Sequence, residues 1–402
     1  MIDSIGTISS IIKKQKCFGC GACAAICREQ AITMEIGREG FFYPKINLEL
    51  CRNCGLCLNV CPSAHPGLLF DINKGDSFAL WAKNSKIRLL TSSGGAAFQF
   101  ALKYFTKGYL PIGAVFKDNF RYVEHIVAKA PEDILSTVGS KYIQSNTENA
   151  FRYCLSNPNG KYIAFGTPCQ INAFRNIIGQ KDFDDYLLID LFCHGVPSYH
   201  LWWAFVEEIS RKTGRLQHVE IRNKARGWHK YGVLCIGDRG IYEKNFLKTT
   251  FGRFYLSNYC LNEPCYKCTY GRKSAADLRV GDFWGKEYAD NLMGVSLAVA
   301  LSDKGLQLIE ETEGLAFRSI PLSLLFDSQK RVKKPKIAKP KNNERLMEDL
   351  ISGQPLPKAY KRHLSSEYRK KGLRHFPYKL ANAILPKRVK SILRFAIRAL
   401  RS

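Results

Sequence analysis

Two short segments, CFGCGACAAIC (Cys17–Cys27) and CRNCGLCLNVC (Cys51–Cys61), each carry four cysteines separated by two, two and three residues. Two-residue gaps let successive thiolates wrap three corners of one 4Fe-4S cubane, and in paired runs of this kind the fourth cysteine ligates the other cluster. Cys17, Cys20, Cys23 and Cys61 are therefore expected to hold one cubane, and Cys51, Cys54, Cys57 and Cys27 the second. Gly19, Gly21, Ala22 and Gly55 let the backbone approach the sulfides. The second segment ends in Cys61-Pro62, as such runs do, whereas Arg28 follows Cys27 and is expected to tune the local field without abolishing ligation. Structural zinc is the other use of C-x2-C pairs, but zinc knuckles set two such pairs across longer loops, so the repeated compact spacing favours cubanes.

The elements around these ligands read as a small module followed by a larger body. AITMEI (Ala31–Ile36) and GFFYPKI (Gly40–Ile46) look like short strands closing a ferredoxin-like module over residues 8–72. Beyond Ser77, β-rich runs alternate with helical stretches, so the fold class is α+β or mixed α/β. Gly94-Gly95 leads into an amphipathic helix. KYIAFGTPCQINAFRNII reads as strand, turn and helix, with Thr167 as N-cap, Pro168 at the first helical position and Cys169 in the first turn, where the helix dipole is expected to lower a thiol pKa. Cys193 closes a buried strand, with a helix after Pro197, and such strand ends are where α/β folds place ligands. HVEIRNKARGW and YGVLCIG look like further strands, followed by the pair Cys265 and Cys268. On residue type alone, Cys169, Cys193, Cys265 and Cys268 supply a third cubane, form a redox-active thiol pair, or are buried inert thiols. Cys154 and Cys235 read as core thiols.

With 402 residues, 46% of them hydrophobic, the chain can bury a sizeable core and is expected to divide into two or three domains. No apolar run approaches the roughly 18 residues of a membrane span, and MIDSIGTISSIIKKQK lacks a secretory h-region, so the expected location is the cytoplasm. In that reducing setting, clustered cysteines point to metal or redox chemistry. The net charge of +26 is mainly a tail property: Lys330–Ser402 holds 22 Lys and Arg against 4 Asp and Glu, while Met1–Gln329 holds 39 against 31. A nucleic-acid groove is not indicated. KRVKKPKIAKPKNNER reads as an exposed linker. PKRVKSILRFAIRALRS reads as a basic amphipathic helix that would lie peripherally on the inner membrane face, on a partner, or on its own body.

The segments SSGGAAF (Ser92–Phe98), GSKYIQS (Gly139–Ser145), FGTPCQI (Phe165–Ile171), CHGVPS (Cys193–Ser198), CYKC (Cys265–Cys268) and RVGDFWG (Arg279–Gly285), in that order, resemble the family of coenzyme F420 hydrogenase and dehydrogenase beta subunits. The resemblance covers about residues 10 to 345. It implies an iron-sulfur flavoprotein oxidoreductase with FAD in the body and a third cubane on Cys169, Cys193, Cys265 and Cys268. Its electrons would pass to or from a deazaflavin or other organic substrate, with ferredoxin or another redox protein as partner. The flavin candidates are Ser92, Ser93, Gly94 and Gly95, whose amides would approach a pyrophosphate, with Lys141 opposing its charge and Asp282 and Trp284 lining the pocket. A tight turn before a helix is the plainer reading of Gly94-Gly95. His194 is a candidate catalytic proton relay or a packing histidine, and Arg222, Lys224 and Arg226 either grip an anionic substrate or form a solvated loop. The expected regions are the module at 8–72, an N-terminal body region at 77–155, a C-terminal body domain at 156–328 and a basic tail at 329–402. The competing functions are a non-catalytic electron-transfer subunit, with polysaccharide biosynthesis as one setting, and a membrane scaffold.

Overall fold

The structure, a computed structural model, describes residues 7–13, 15–179, 185–334 and 336–365, so the amphipathic helix expected near the C-terminus lies outside the described residues. The chain opens with a helical turn, Ser9–Lys13, and a second short helix, Ala22–Ile26, before an antiparallel hairpin of β1 (Ile32–Ile36) and β2 (Phe42–Ile46). A two-residue β3 (Phe70–Asp71) pairs far along the chain with β12 (Lys273–Ser274). Eight strands then build one sheet: β4 (Asp76–Ala82), β5 (Tyr109–Lys117), β6 (Tyr122–Val127), β7 (Lys161–Gly166), β8 (Tyr186–Leu191), β13 (Leu278–Asp282), β14 (Ser296–Ala300) and β15 (Leu315–Ser319). Their spatial order is β15-β4-β14-β13-β8-β7-β5-β6. Beside it stands an antiparallel sheet of β9 (Leu216–Asn223), β10 (Gly232–Gly237) and β11 (Gly240–Asn245).

Strand direction decides where a site can form. β5, β7, β8 and β13 pair in parallel, and β4 runs with them because it and β13 both pair antiparallel to β14. Five carboxyl ends therefore share one edge of the sheet, the edge where open α/β sheets bind ligands. β8 reads YLLIDL and is buried at every residue but the last, as a strand covered on both faces must be. The helix Pro168–Ile178 starts where expected: Gln170 Oε1 accepts from both the amide of Thr167, at 3.0 Å, and its hydroxyl, at 2.9 Å.

The two expected body regions share one sheet. The 155/156 boundary falls between a helix, Glu148–Ser156, and β7, and strands from both sides of it share the eight-stranded sheet. The module has no core of its own either: Cys17, Cys23, Met34 and Phe42 belong to one apolar cluster with Tyr199 and Trp202 of the body. The Phe42 ring stands edge-on to Tyr199 at 5.5 Å. The Lys-Pro segment is largely exposed, as expected, but it lies along the body. Val332 is fully buried, the Ile337 amide donates to Tyr266 O, and helices Asn343–Ile351 and Leu356–His363 pack on the helix Tyr199–Thr213. Apolar residues at helical spacing within a cationic sequence supply the reason. Among the described residues no helix is long and apolar enough to cross a membrane.

Gly40 shows how tightly module and body meet. It has φ 75°, a Cβ there would lie 2.4 Å from Ser198 Oγ, and its carbonyl accepts from the Tyr199 amide at 2.8 Å. Gly40→Ala is expected to cost about 1–3 kcal/mol, seen as a lower urea midpoint together with earlier protease cleavage in the β1–β2 hairpin. Cleavage at the parental rate would show that this contact does not hold the module down.

Candidate functional site

Each cysteine segment repeats one local device. Gly21 (φ 76°, ψ −10°) and Gly55 (φ 76°, ψ −6°) turn the chain into one-turn helices that carry Cys23 and Cys57. That left-handed turn is cheap only for glycine. Cys17, Cys20, Cys23 and Cys61 line one hollow together with Phe18 and Met34. Burial pushes the Cys17 thiol up to about 12 and raises those of Cys20 and Cys23 well above the ordinary thiol range. Cys51 and Cys54 lie within electrostatic reach of Cys57. Cys27 ends the helix Ala22–Ile26, and an ion pair between Glu29 and Arg52, at 3.2 Å, ties the chain just past it to the Cys51–Cys54 loop.

A second hollow lies at the carboxyl edge of the large sheet, and Cys169, Cys193, Cys265 and Cys268 all line it. Cys169 follows β7 and Cys193 follows β8. The segment bearing Cys265 reaches them because Pro197 bridges Leu261 and the Asn262 amide donates to Val196 O at 3.0 Å. Arg279, 1% exposed, supports the floor: it makes two 2.6 Å bonds to Asp190, and its Nη1 donates to Tyr270 O at 2.7 Å, fixing the chain past Cys268. The thiols of Cys169 and Cys265 are raised well above the ordinary thiol range, chiefly by burial. This corrects the expected lowering at Cys169, because desolvation outweighs the helix N-terminus. Protonated, mutually close, desolvated thiols suit a cationic metal core, since a coordinated thiol is deprotonated outright. Among the described residues no three His, Cys, Asp or Glu side chains converge on a single metal ion.

The two hollows are neighbours. Phe18 lines both, and the Tyr270 ring meets Phe18 edge-on at 5.8 Å. Three buried side chains of the body hold the intervening loop by its carbonyls: Gln144 Nε2 donates to Phe18 O (2.8 Å), Thr147 Oγ1 to Cys20 O (2.6 Å) and Asn262 Nδ2 to Cys17 O (3.1 Å). Gln144 also accepts from the Phe42 amide, and Asn262 from the Tyr43 hydroxyl. A Cβ on Gly19 would lie 2.2 Å from Gln144 Nε2, and one on Gly21 would lie 2.4 Å from Thr147 Oγ1, so both glycines are also required by the body. Sequence reasoning missed Phe18, Gln144, Thr147, Asn262 and Tyr270 as site residues. Gln144 lies inside GSKYIQS, but nothing in that string indicates a carbonyl of a distant module as its partner.

The flavin candidates gather around a buried arginine. Arg222 makes a bidentate pair with Asp282, at 2.8 and 2.7 Å, and also donates to Ser92 O at 3.0 Å. The guanidinium lies 4.0 Å from the Tyr231 ring centre and 5.0 Å from that of Trp284. Trp284 stacks on Trp228 at 5.1 Å, and Trp228 Nε1 donates to Asp282 at 2.7 Å. Ser92, Asp282 and Trp284 thus belong to one assembly. Ser92 Oγ accepts from the Ser140 amide and hydroxyl, each at 3.0 Å, and Ser93 Oγ donates to Val295 O. The Gly94 amide donates to Ser296 Oγ at 3.0 Å, so the fold already uses it, and Gly95 (φ 93°) opens the helix Ala96–Thr106. Lys141 Nζ donates to the carbonyls of Thr137 and Val138, and burial pushes it down to about 7.

The basic segment 222–226 is neither a solvated loop nor a free anion grip. Arg222 and Lys224 are buried on internal partners, the latter on the carbonyls of Ser93 and Met293, while exposed Arg226 pairs with Glu243. His194 sets Nε2 against Tyr255 O at 3.3 Å and its ring 4.9 Å from Tyr255, whereas its neighbours Cys193 and Gly195 line the thiol hollow. Tyr255 in turn lies 5.2 Å from Tyr142, whose hydroxyl accepts from Arg222. Aromatic rings thereby connect the thiol hollow to the Arg222 assembly. Cys154, Cys235 and Cys260 are buried in the core.

Comparison with known proteins matches residues 159–317 to the C terminus of the coenzyme F420 hydrogenase/dehydrogenase beta subunit, and residues 16–65 to a 4Fe-4S dicluster domain. One subunit of the F(420)H(2) dehydrogenase of Methanosarcina mazei is 24% identical over 202 residues, which is 48% of this chain and 57% of that protein. Pyruvate synthase subunit PorD of Thermotoga maritima is 45% identical over 53 residues, 13% of this chain and 48% of that protein. The chain thus spans about half the length of these curated relatives. A chain of the F420-reducing NiFe hydrogenase complex from Methanosarcina barkeri aligns with 71% of this chain and 91% of its own length, at 17% identity and a TM-score of 0.44.

Two measurements follow from the geometry. Thr147→Val keeps the side chain's shape but leaves the buried Cys20 carbonyl without its donor, an expected loss of about 1–3 kcal/mol. It should lower the urea midpoint and speed amide exchange over residues 17–23. Lys141 is protonated in the unfolded chain up to about its ordinary 10.5 but in the folded chain only up to about 7. The unfolded state therefore binds the extra proton across that window, and this group makes stability rise with pH there. Lys141→Met should flatten the rise in urea midpoint of the metal-loaded protein between about pH 7 and pH 9; an unchanged slope would place the titration elsewhere.

Proposed function

We propose, for a chain that belongs to the family of coenzyme F420 hydrogenase/dehydrogenase beta subunits and carries a 4Fe-4S dicluster domain, that it is an iron-sulfur flavoprotein oxidoreductase exchanging electrons between one-electron carriers and an organic hydride donor or acceptor of the deazaflavin class. The observation that carries this reading is the second hollow. Four thiols from three distant segments meet there, and it shares Phe18 with the hollow of the dicluster module. In this reading Cys17, Cys20, Cys23 and Cys61 hold one cubane, Cys27, Cys51, Cys54 and Cys57 a second, and Cys169, Cys193, Cys265 and Cys268 a third.

Ser92–Gly95, Lys141, Asp282 and Trp284 are our candidates for the FAD site. A bound flavin would supply the interchange between hydride and single electrons. The chain's own residues do the rest. Asp282 neutralises the buried guanidinium of Arg222, and the pair fixes both the Ser92 turn and the Trp228–Trp284 stack. Lys141 rests near its neutral form, so an anionic group beside it would raise its proton affinity. Arg279 and Asp190 keep the Tyr270 chain against the thiols, and Phe18, Tyr270 and Tyr255 exclude water around them. His194, whose Nε2 faces a backbone carbonyl, is the candidate for holding a proton beside this region. A second reading, an electron-delivering subunit of a larger enzyme, is favoured by the names of the relatives, both of which are subunits.

Metal and flavin analysis of anaerobically purified protein separates the two. Three cubanes predict about twelve iron atoms per chain, with one FAD, and Cys265→Ser should remove about four of those irons while the dicluster signals persist in EPR. About eight irons and no flavin after reconstitution with both cofactors would leave the electron-delivering subunit as the better description.

A further inference from the structure

The helix Pro168–Ile178 carries Cys169 of the second hollow in its first turn and packs on the module helix Ala22–Ile26. Cys169, Asn172 and Asn176 fall at positions i, i+3 and i+7, which is one face of an α-helix. That face holds the module's chain on both sides of Cys61. Asn172, fully buried, donates from Nδ2 to Pro66 O at 2.6 Å, and Asn176 Nδ2 donates to His65 O at 2.8 Å and to Val60 O at 3.3 Å. Gly67, with φ 62°, leaves room for this contact, since a Cβ there would lie 2.3 Å from Asn176 Oδ1. Asn172 also serves the second hollow: its Oδ1 accepts from the hydroxyl of Tyr270, two residues past Cys268, at 3.1 Å. Elsewhere on the helix Arg175 pairs with Asp277 at 3.1 Å, and Asp277 accepts from the Leu188 amide of β8, so the helix is anchored to the sheet.

These bonds join the surroundings of two ligand sets. Cys20 lies within electrostatic reach of Cys169, and the Tyr270 hydroxyl within reach of Cys20, Cys61, Cys169 and Cys268. A loop wrapped around a metal centre is oriented by hydrogen bonds behind its ligands, and losing one typically costs about 10- to 100-fold in metal affinity. Here a single asparagine makes such bonds for two sites at once. We propose that Asn172 and Asn176 are positioning residues shared by the inner cubane site of the module, on Cys17, Cys20, Cys23 and Cys61, and the site of the body, on Cys169, Cys193, Cys265 and Cys268, so that each cluster holds the other in place. The inference rests on the three-cubane reading and adds to it which module site is coupled to the body and through which side chains. An empty body site frees Cys169 and Tyr270 and loosens the helix face that grips Val60, His65 and Pro66. An empty inner site acts in reverse, because coupling between two sites is reciprocal. The bonds named above reach the chain around Cys61 and Cys268, not the segments of Cys27, Cys51 and Cys54, so the outer cubane of the module stands apart.

The test follows iron release from the full chain, anaerobic and loaded, to a ferrous chelator, with the freed thiols alkylated and located by mass spectrometry. Asn172→Leu keeps the side chain's bulk and removes both hydrogen bonds without touching a thiol. It is expected to speed the release of about eight of the twelve irons by about tenfold or more, while about four leave at the parental rate. The thiols freed early should be those of the inner and body sites. Cys265→Ser, which empties the body site, should by the same coupling speed release of about four of the eight irons that remain, freeing Cys17, Cys20, Cys23 and Cys61 before Cys27, Cys51, Cys54 and Cys57. Faster loss of only four irons or of all twelve in Asn172→Leu, or parental release from both module clusters in Cys265→Ser, would overturn the proposal. Should Asn172→Leu fail to fold, Asn176→Leu, at the half-buried end of the same face, decides with the same pattern. A parental chain holding about eight irons would fault the three-cubane reading and this coupling with it, whereas about twelve irons released without the pattern would fault the coupling alone.

Discussion

Three hydrogen bonds organise this protein: those from Gln144, Thr147 and Asn262 to the carbonyls of Phe18, Cys20 and Cys17. A loop that wraps a metal cluster turns its thiols inward and cannot form a regular ladder, so its carbonyls need donors from elsewhere once the loop is buried. The body provides them, and each donor is itself buried to 3% exposure or less. The module therefore cannot leave without stranding polar groups on both sides, and each such group costs on the order of 1–3 kcal/mol. A ferredoxin-like unit that in isolation would be a soluble carrier becomes one wall of a larger machine.

From that constraint the arrangement of the remaining thiols follows. The loop is held where Phe18 faces both hollows, and the second hollow sits at the carboxyl ends of β7 and β8. Parallel strands deliver Cys169 and Cys193 to the same edge, and the Pro197–Leu261 bridge brings the Cys265 segment back over them. The Arg279–Asp190 pair beneath is costly in principle, because burying two charges is offset only by near-ideal geometry. Here both carboxylate oxygens accept from the guanidinium, and Nη1 and Nη2 also donate to the carbonyls of Tyr270 and Lys273, so the buried charge is paired while it holds the loop past Cys268.

A second buried arginine also joins segments far apart in the chain, although its Nε has no hydrogen-bond partner among the described residues. Arg222 joins β9 of the smaller sheet to Asp282 at the end of β13 and to the Ser92 turn after β4. Its pairing with a carboxylate and its stacking on Tyr231 and Trp284 draw residues far apart in the chain into one assembly. Tyr142 and Tyr255 link this assembly to the thiol hollow. The result is a line of buried and half-buried aromatic and charged groups beginning at the module and ending near the Ser92–Gly95 turn.

How much of this was legible in the chain depends on the range of the interactions. The grouping of Cys17, Cys20 and Cys23, the glycine turns before Cys23 and Cys57, the hairpin Ile32–Ile46 and the start of the helix at Pro168 all follow from neighbours a few residues apart, where chain geometry leaves few choices. On residue type the gathering of Cys169, Cys193, Cys265 and Cys268 was one of three open readings and gained weight only from family resemblance, because spacing along the chain carries little information about which strand ends become adjacent. The roles of Gln144, Thr147, Asn262, Arg222 and Arg279 were not legible at all. A polar residue bound for the interior looks like one bound for water until sheet register and module docking decide which carbonyl or carboxylate it meets. Sequence alone determined the two cysteine runs that match a 4Fe-4S dicluster domain and the thiols at strand ends; tertiary structure decided their order and surroundings, because hydrogen bonds between distant segments exist only after the sheet has closed.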